Sequence, residues 1–159
     1  MVEKLSPDAW RTLRDRSADP KREPGPINLN RYGLHPAWSG IPTFLRLPVC
    51  LTPDDLRAGS VDVAVLGAPV DMSGGQRGAA FGPMAIRTAE RYLPAPATTF
   101  LHQHVRISPF QELTVVDYGD AAVDPFSIEN SMEPIRALVR EVAQAGAVPI
   151  VLGGDHSIL

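Results

Sequence analysis

Cysteine is nearly missing from this chain. Cys50 stands alone among 159 residues, which excludes an internal disulfide framework and fits a reducing compartment. It follows Pro48 and Val49 in an apolar stretch, the setting of a buried, inert thiol rather than a nucleophile. An excess of one charge sign is also lacking. The formal net charge is -3, with no run of Lys and Arg, so nothing draws the chain to nucleic acid or an anionic membrane. No apolar stretch reaches the roughly 18 residues that a membrane helix needs. The start, Met1 to Asp15, is charged and has no apolar core of the kind a signal peptide carries. Together these absences point to the cytoplasm.

What is present suits a globular fold. Hydrophobic residues make up 44% and charged residues 21%, too apolar a mixture for disorder. Of the 16 prolines, eight fall in the first 60 residues, from Pro7 to Pro53. Proline removes a backbone donor and biases the preceding residue toward extended geometry, so this region is expected to hold no long helix or central strand. Residues 1–60 therefore read as an arm that wraps a body or a neighbouring subunit. Leu5 to Leu13 is a candidate short helix, and Trp10, Tyr32, Trp38 and Phe44 give the arm apolar groups with which to dock.

The body is expected over residues 61–159. Val61 to Gly67 is a β-branched run ending in glycine, which suits a buried strand. A Gly-rich loop, Ser73 to Gly82, follows, and Pro83 stands where a helix would begin. Ala85, Ala89, Tyr92 and Leu93 then recur at helical spacing. A second strand is expected near Leu113 to Asp117. Ile135, Leu138, Val139, Val142 and Ala143 mark an amphipathic helix, stopped by Gly146 in the position that favours a left-handed residue. Val148 to Leu152 forms a short apolar strand that enters Gly153-Gly154-Asp155-His156-Ser157. Strands alternating with helices predict a parallel sheet with helices on its faces. Three buried-type strands leave apolar edges uncovered, and a helix is expected after His156. The chain therefore reads as a fragment, a truncation, or one piece that needs a partner.

The chemistry concentrates after the third strand. Open α/β sheets place ligands beyond the carboxyl ends of their strands, and paired glycines let a side chain approach the strand tips closely. His156 is thus a candidate metal ligand through a neutral imidazole nitrogen, against the plainer reading of a hydrogen-bonded loop histidine. Asp155 reads as orienting that loop, or as the N-cap of a following helix. Asp117 and Asp120 read as turn formers. The Gly-rich loop lacks both the G-x-G-x-x-G pattern and a P-loop Lys-Ser/Thr, which argues against nucleotide binding. His102 and His104 alternate with no carboxylate beside them and read as surface loop, and His35 in the arm reads as structural.

Gly153 to Ser157 resembles the first metal motif of the ureohydrolase family, which includes arginases and agmatinases. Phe81 to Arg87 resembles the family segment after its Gly-rich loop, and Val116 to Asp120 resembles its second-strand end. Gly40 to Arg46 looks like the agmatinase-type arm. The four matches occur in family order across residues 27–159. The resemblance implies a three-layer α/β/α fold of the arginase and deacetylase kind, only part of which this chain would supply. It also implies a two-ion manganese centre, or nickel in its place, with His156 binding one ion. There a metal-activated water attacks the guanidinium carbon and releases urea and an amine. Family members draw further ligands from Asp-x-His-x-Asp and Asp-x-Asp motifs, and neither occurs here, so the catalytic groups are expected beyond Leu159 and the chain alone is expected to be inactive. Trimers, hexamers or pairing with a related subunit are the assemblies implied. Agmatinase-type members carry arginines at the positions of Gln76 and Ala80; here Gln76 and Arg77 are the substrate-loop candidates, and Arg77 would take over one role, against the plainer reading of a solvated surface arginine. That departure also motivates an alternative, a noncatalytic ureohydrolase-like subunit.

Overall fold

The computed structural model describes residues 21–30, 38–73, 77–89, 99 and 101–158. Among these residues three strands, β1 (Val63–Ala68), β2 (Val115–Asp120) and β3 (Val148–Gly153), form one sheet in the order β2-β1-β3. Both pairings are parallel, with Val63 level with Val115 on one side and Val148 on the other. β3 starts at the expected Val148, while β1 and β2 begin two residues later than expected and β2 runs on to Asp120, three residues past the expected Asp117.

Among the described residues four α-helices accompany them: α1 (Pro53–Ala58), α2 (Gly82–Ala89), α3 (Pro109–Glu112) and α4 (Ile128–Gln144). Ser127 caps α4, its hydroxyl accepting the Asn130 N–H at 3.2 Å, and Gly146 follows its end at φ 94°. Ile135, Leu138 and Val142 are buried along one stripe of α4. They meet the sheet face made by Ala64, Leu66, Ala68, Val116 and Tyr118, together with Cys50 and Leu56. Each fully buried Val or Leu there is worth about 1.5–3 kcal/mol, so this layer holds most of the apolar stabilisation.

The opposite face carries Val65, Gly67 and Asp117, since side chains alternate along a strand. Helix α2 packs here, but not by the expected apolar stripe. Ala85 and Ala89 are exposed, and Met84 is 64% exposed. The inward positions are Pro83 and Arg87, one helical turn apart, and the anchor is polar. Arg87 grips Asp117 with Nε to Oδ2 at 2.7 Å and Nη2 to Oδ1 at 3.0 Å, and reaches Asp120 Oδ1 at 2.6 Å. Asp117 also accepts the Phe44 N–H at 2.8 Å and, turn-like, the Gly119 N–H at 2.9 Å. One carboxylate thus joins arm, helix and strand. Tyr92 and Leu93, which completed the expected stripe, lie outside the described residues.

Part of the proline-rich segment is built onto the body. Asp117 N–H donates to Pro48 O at 2.9 Å and Cys50 N–H to Asp117 O at 3.1 Å, laying residues 48–50 along the β2 edge. Ile27 and Val49 then exchange two backbone bonds, at 2.8 and 2.9 Å. Asp55 is fully buried at the start of α1. It accepts from Arg22 at 2.6 and 2.8 Å and from the N–H groups of Gly25, Leu51 and Thr52. Burial opposes its ionisation, but these bonds outweigh burial and hold its pKa below the usual carboxylate range. Phe44 docks half-buried. Trp38, expected to dock as well, is 82% exposed. Trp10, Tyr32 and the candidate helix over Leu5 to Leu13 lie outside the described residues. Among the described residues, no helix is long and apolar enough to cross a membrane.

Candidate functional site

The strand order creates a switch point. From β1 the chain moves to β2 on one side, then returns across β1 to β3 on the other. Crevices at such reversals, beyond the carboxyl ends of the strands, are where open α/β sheets bind ligands. Two loops meet in this one, residues 69–73 after β1 and 153–158 after β3, and backbone contacts knit them together. Asp155 N–H donates to Val70 O at 2.8 Å. Gly154 adopts φ 54° and lies so close to the Ala68 and Val70 carbonyls that a Cβ would collide with both. Gly82, at the start of α2, would place a Cβ 2.5 Å from Gly153 O. The glycines are needed for this close approach of three backbone segments.

Asp155 organises the crevice. Its Oδ2 accepts the Ser73 N–H at 2.6 Å, across the two loops. Its Oδ1 accepts the Ser157 hydroxyl at 2.6 Å and the Ser157 N–H at 3.0 Å, capping the helical turn His156–Ile158. The Ser157 hydroxyl first, then the Ser73 N–H, hold its carboxyl far below the usual range. Both oxygens are engaged, so Asp155 acts as a staple.

His156 stands beside it, exposed, on an open hollow lined by Gly153, Gly154, Asp155 and Ile158. Among the described residues its imidazole has no hydrogen-bond partner, which leaves a ring nitrogen available for a metal. It fits as one donor. Among the described residues, no three of His, Cys, Asp and Glu converge, so these side chains alone do not make a two-ion centre.

Arg77 lies on the loop after β1. Its Nη1 donates to Asp71 Oδ1 at 3.0 Å and to Asp71 O at 3.3 Å, and the side chain is 68% exposed. Asp71 Oδ2 takes the Gly78 N–H at 2.9 Å. That bond first, then Arg77, lowers its pKa. Gln76 and His35 lie outside the described residues. His102 and His104 occupy an exposed turn with ring centroids 5.9 Å apart, and the Val105 N–H points to His102 Nδ1 at 3.5 Å.

The Arg87–Asp117–Asp120 cluster is the group that reading the sequence missed. Its signal was an arginine one turn after Pro83, on a helix whose apolar residues do not form a stripe wide enough to bury. Asp117 sits inside a strand rather than after it, which a pure turn former need not do.

A parallel sheet with helices on its faces and a Gly-Gly-Asp-His turn at its switch point defines an α/β domain of the open-sheet class. Comparison with known proteins narrows this. Residues 61–159 match the model of the arginase family. A guanidinopropionase from Pseudomonas aeruginosa is 35% identical over 123 residues, covering 77% of this chain and 36% of its own. A mitochondrial agmatinase from Gallus gallus is 35% identical over 124 residues, covering 75% and 32%. The solved proclavaminate amidinohydrolase from Streptomyces clavuligerus superposes with a TM-score of 0.63 at 30% identity, covering 78% of this chain and 38% of that one. The chain belongs to the arginase family, and it spans about a third of the length of these curated relatives, 36% and 32%.

Proposed function

We propose that this chain forms the first part of a divalent-metal enzyme that hydrolyses a small guanidino compound, agmatine or a guanidino acid, to urea and an amine. The observation that carries the reading is His156, presented at the β1/β3 switch point by a turn whose geometry Asp155 holds at both oxygens. The relatives' names support the substrate class, a guanidino or amidino group, and differ in the rest of the molecule.

A guanidinium carbon is resonance-stabilised and a poor electrophile. The metal, when bound, supplies a water that is nucleophilic at neutral pH. Mn²⁺ is the ion proposed, with Ni²⁺ as substitute, since mixed imidazole and carboxylate donors suit both. The role of this chain is positional. His156 offers one nitrogen, Asp155 fixes the turn, and Gly153 and Gly154 bring it against the strand tips. The remaining ligands come from residues beyond these, in an oligomer, trimeric or hexameric, working in the cytoplasm.

The test is a urea-release screen of the complete gene product with Mn²⁺ or Ni²⁺ against agmatine, guanidinobutyrate, guanidinopropionate and arginine, paired with His156→Ala. The substitution is expected to empty one of two metal sites. Its loss of metal affinity should exceed the roughly 10- to 100-fold typical when only an outer partner is removed. Unchanged metal content in His156→Ala would refute the assignment.

A further inference from the structure

We infer that Asp120 is a positioning residue for the His156 turn, acting through helix α2, an inference that rests on the metal-enzyme reading above. Strict alternation along β2 would point Asp120 to the α4 face, with Val116 and Tyr118. It reaches the other face, because β2 carries an extra residue. Val65 pairs with Asp117 but Gly67 with Asp120, so three steps of β2 match two of β1, and Gly119 turns the strand at φ 77°. Bulges re-aim side chains, and this one brings a second carboxylate to α2.

Asp120 Oδ1 accepts from Arg87 Nη1 at 2.6 Å. Its carboxylate and Pro83 both crowd the space over Gly67, where a Cβ would collide with Asp120 and come within 2.9 Å of Pro83 Cβ. Pro83 follows Gly82, whose missing side chain lets α2 close on the Gly153 carbonyl. Gly153 opens the turn that lines the hollow with Gly154, Asp155, His156 and Ile158. At both Gly67 and Gly82 there is no room for a methyl, and close-packed interiors pass a displacement on instead of absorbing it. Asp117 already fastens Arg87 through Nε and Nη2. That fork ties the helix to the sheet. Asp120, nearer the strand end, adds a second point that sets where the first turn of α2 lies against Gly153. Its side chain is 42% exposed, so its removal strands no fully buried charge and leaves the Asp117 anchor in place.

The experiment measures Mn²⁺ dissociation constants, by titration followed in electron paramagnetic resonance, and melting temperatures. It uses the complete gene product and its variants Asp120→Ala, Asp120→Asn, Tyr118→Phe and His156→Ala. Tyr118→Phe removes the 2.9 Å bond to Glu141 on the α4 face of the same strand, and so loosens β2 with no route to the turn. Asp120→Ala is expected to weaken Mn²⁺ binding about 10-fold, the lower end for loss of a partner outside the ligand set. Asp120→Asn keeps an acceptor for Arg87 and should lose less. Tyr118→Phe should lower the melting temperature with the dissociation constant unchanged. Asp120 variants that bind Mn²⁺ like the wild type would overturn the inference, as would an equal weakening in Tyr118→Phe. His156→Ala separates the two claims. If it loses metal while the Asp120 variants keep it, only the positioning role falls; if it keeps full metal content, the metal site at His156 falls and the positioning role with it.

Discussion

Replacing Arg87 by methionine tests whether helix α2 is held to the sheet by charge. Its side chain is 10% exposed and that of Asp117 is 4% exposed, so the pair is shielded from solvent. The isostere keeps the aliphatic stem but leaves Asp117 with the Phe44 and Gly119 N–H groups only. Breaking a buried pair from one side costs roughly 3–5 kcal/mol, because the remaining charge stays buried without its opposite charge. The surface pair Arg57–Asp54 offers the contrast. Its side chains are 53% and 74% exposed, and such pairs contribute about 0–1 kcal/mol. Urea denaturation of Arg87→Met, Arg57→Ala and the double variant Arg87→Met/Asp117→Asn, in the complete gene product, separates the terms. Arg87→Met should lose several times what Arg57→Ala loses, at an m-value close to wild type. The double variant should recover part of the loss, since the stranded charge is gone. If Arg87→Met and Arg57→Ala lie within about 1 kcal/mol of each other, the polar anchor is incidental and the reasoning fails.

The other predictions concern a glycine and the thiol. Gly82→Ala keeps helical backbone angles but drives a methyl to 2.5 Å from Gly153 O, so it should destabilise by about 1–3 kcal/mol and loosen the metal binding proposed at His156. An unchanged melting curve with unchanged metal titration would show that the approach is not required. Cys50 is fully buried, and burial, then the nearby Asp55 charge, push its thiol from 9.0 up to about 12. Alkylation near pH 8 should therefore be very slow in the native protein and fast in denaturant. The sign is that of a raised folded pKa: the contribution to stability is complete below about pH 9 and is lost as pH rises toward about 12. Native labelling at the denatured rate would contradict it.

Much of the architecture was legible because it rests on period and punctuation. The strands announce themselves as β-branched runs, and the buried stripe of α4 follows Ile135, Leu138 and Val142 to a Gly146 that stops it. What could not be read was which partners polar groups would choose. Asp117 looked like a turn former, and it does take the Gly119 N–H, yet its larger role is to hold Arg87 from a segment 30 residues away. Nothing local encodes a pairing of that range. Trp38 failed as a docking group for the same reason: hydrophobicity states that a residue gains by burial, not which surface supplies it.

The crevice shows the same division. Two glycines, an aspartate and a histidine after an apolar strand were enough to set this turn at the carboxyl end of β3, because the place of a strand end is a property of topology. That Asp155 staples this turn to Ser73, across 82 residues of sequence, depends on β3 lying beside β1 and not β2. Strand order decides it. A sheet ordered β3-β2-β1 would have left the same residues in place along the chain but separated the two loops by a full strand. Asp155 would then have had only Ser157 to hold, and the His156 turn would have lost its brace against the first loop. Short motifs spread over the chain act together here because a crossover returns the third strand to the free side of the first.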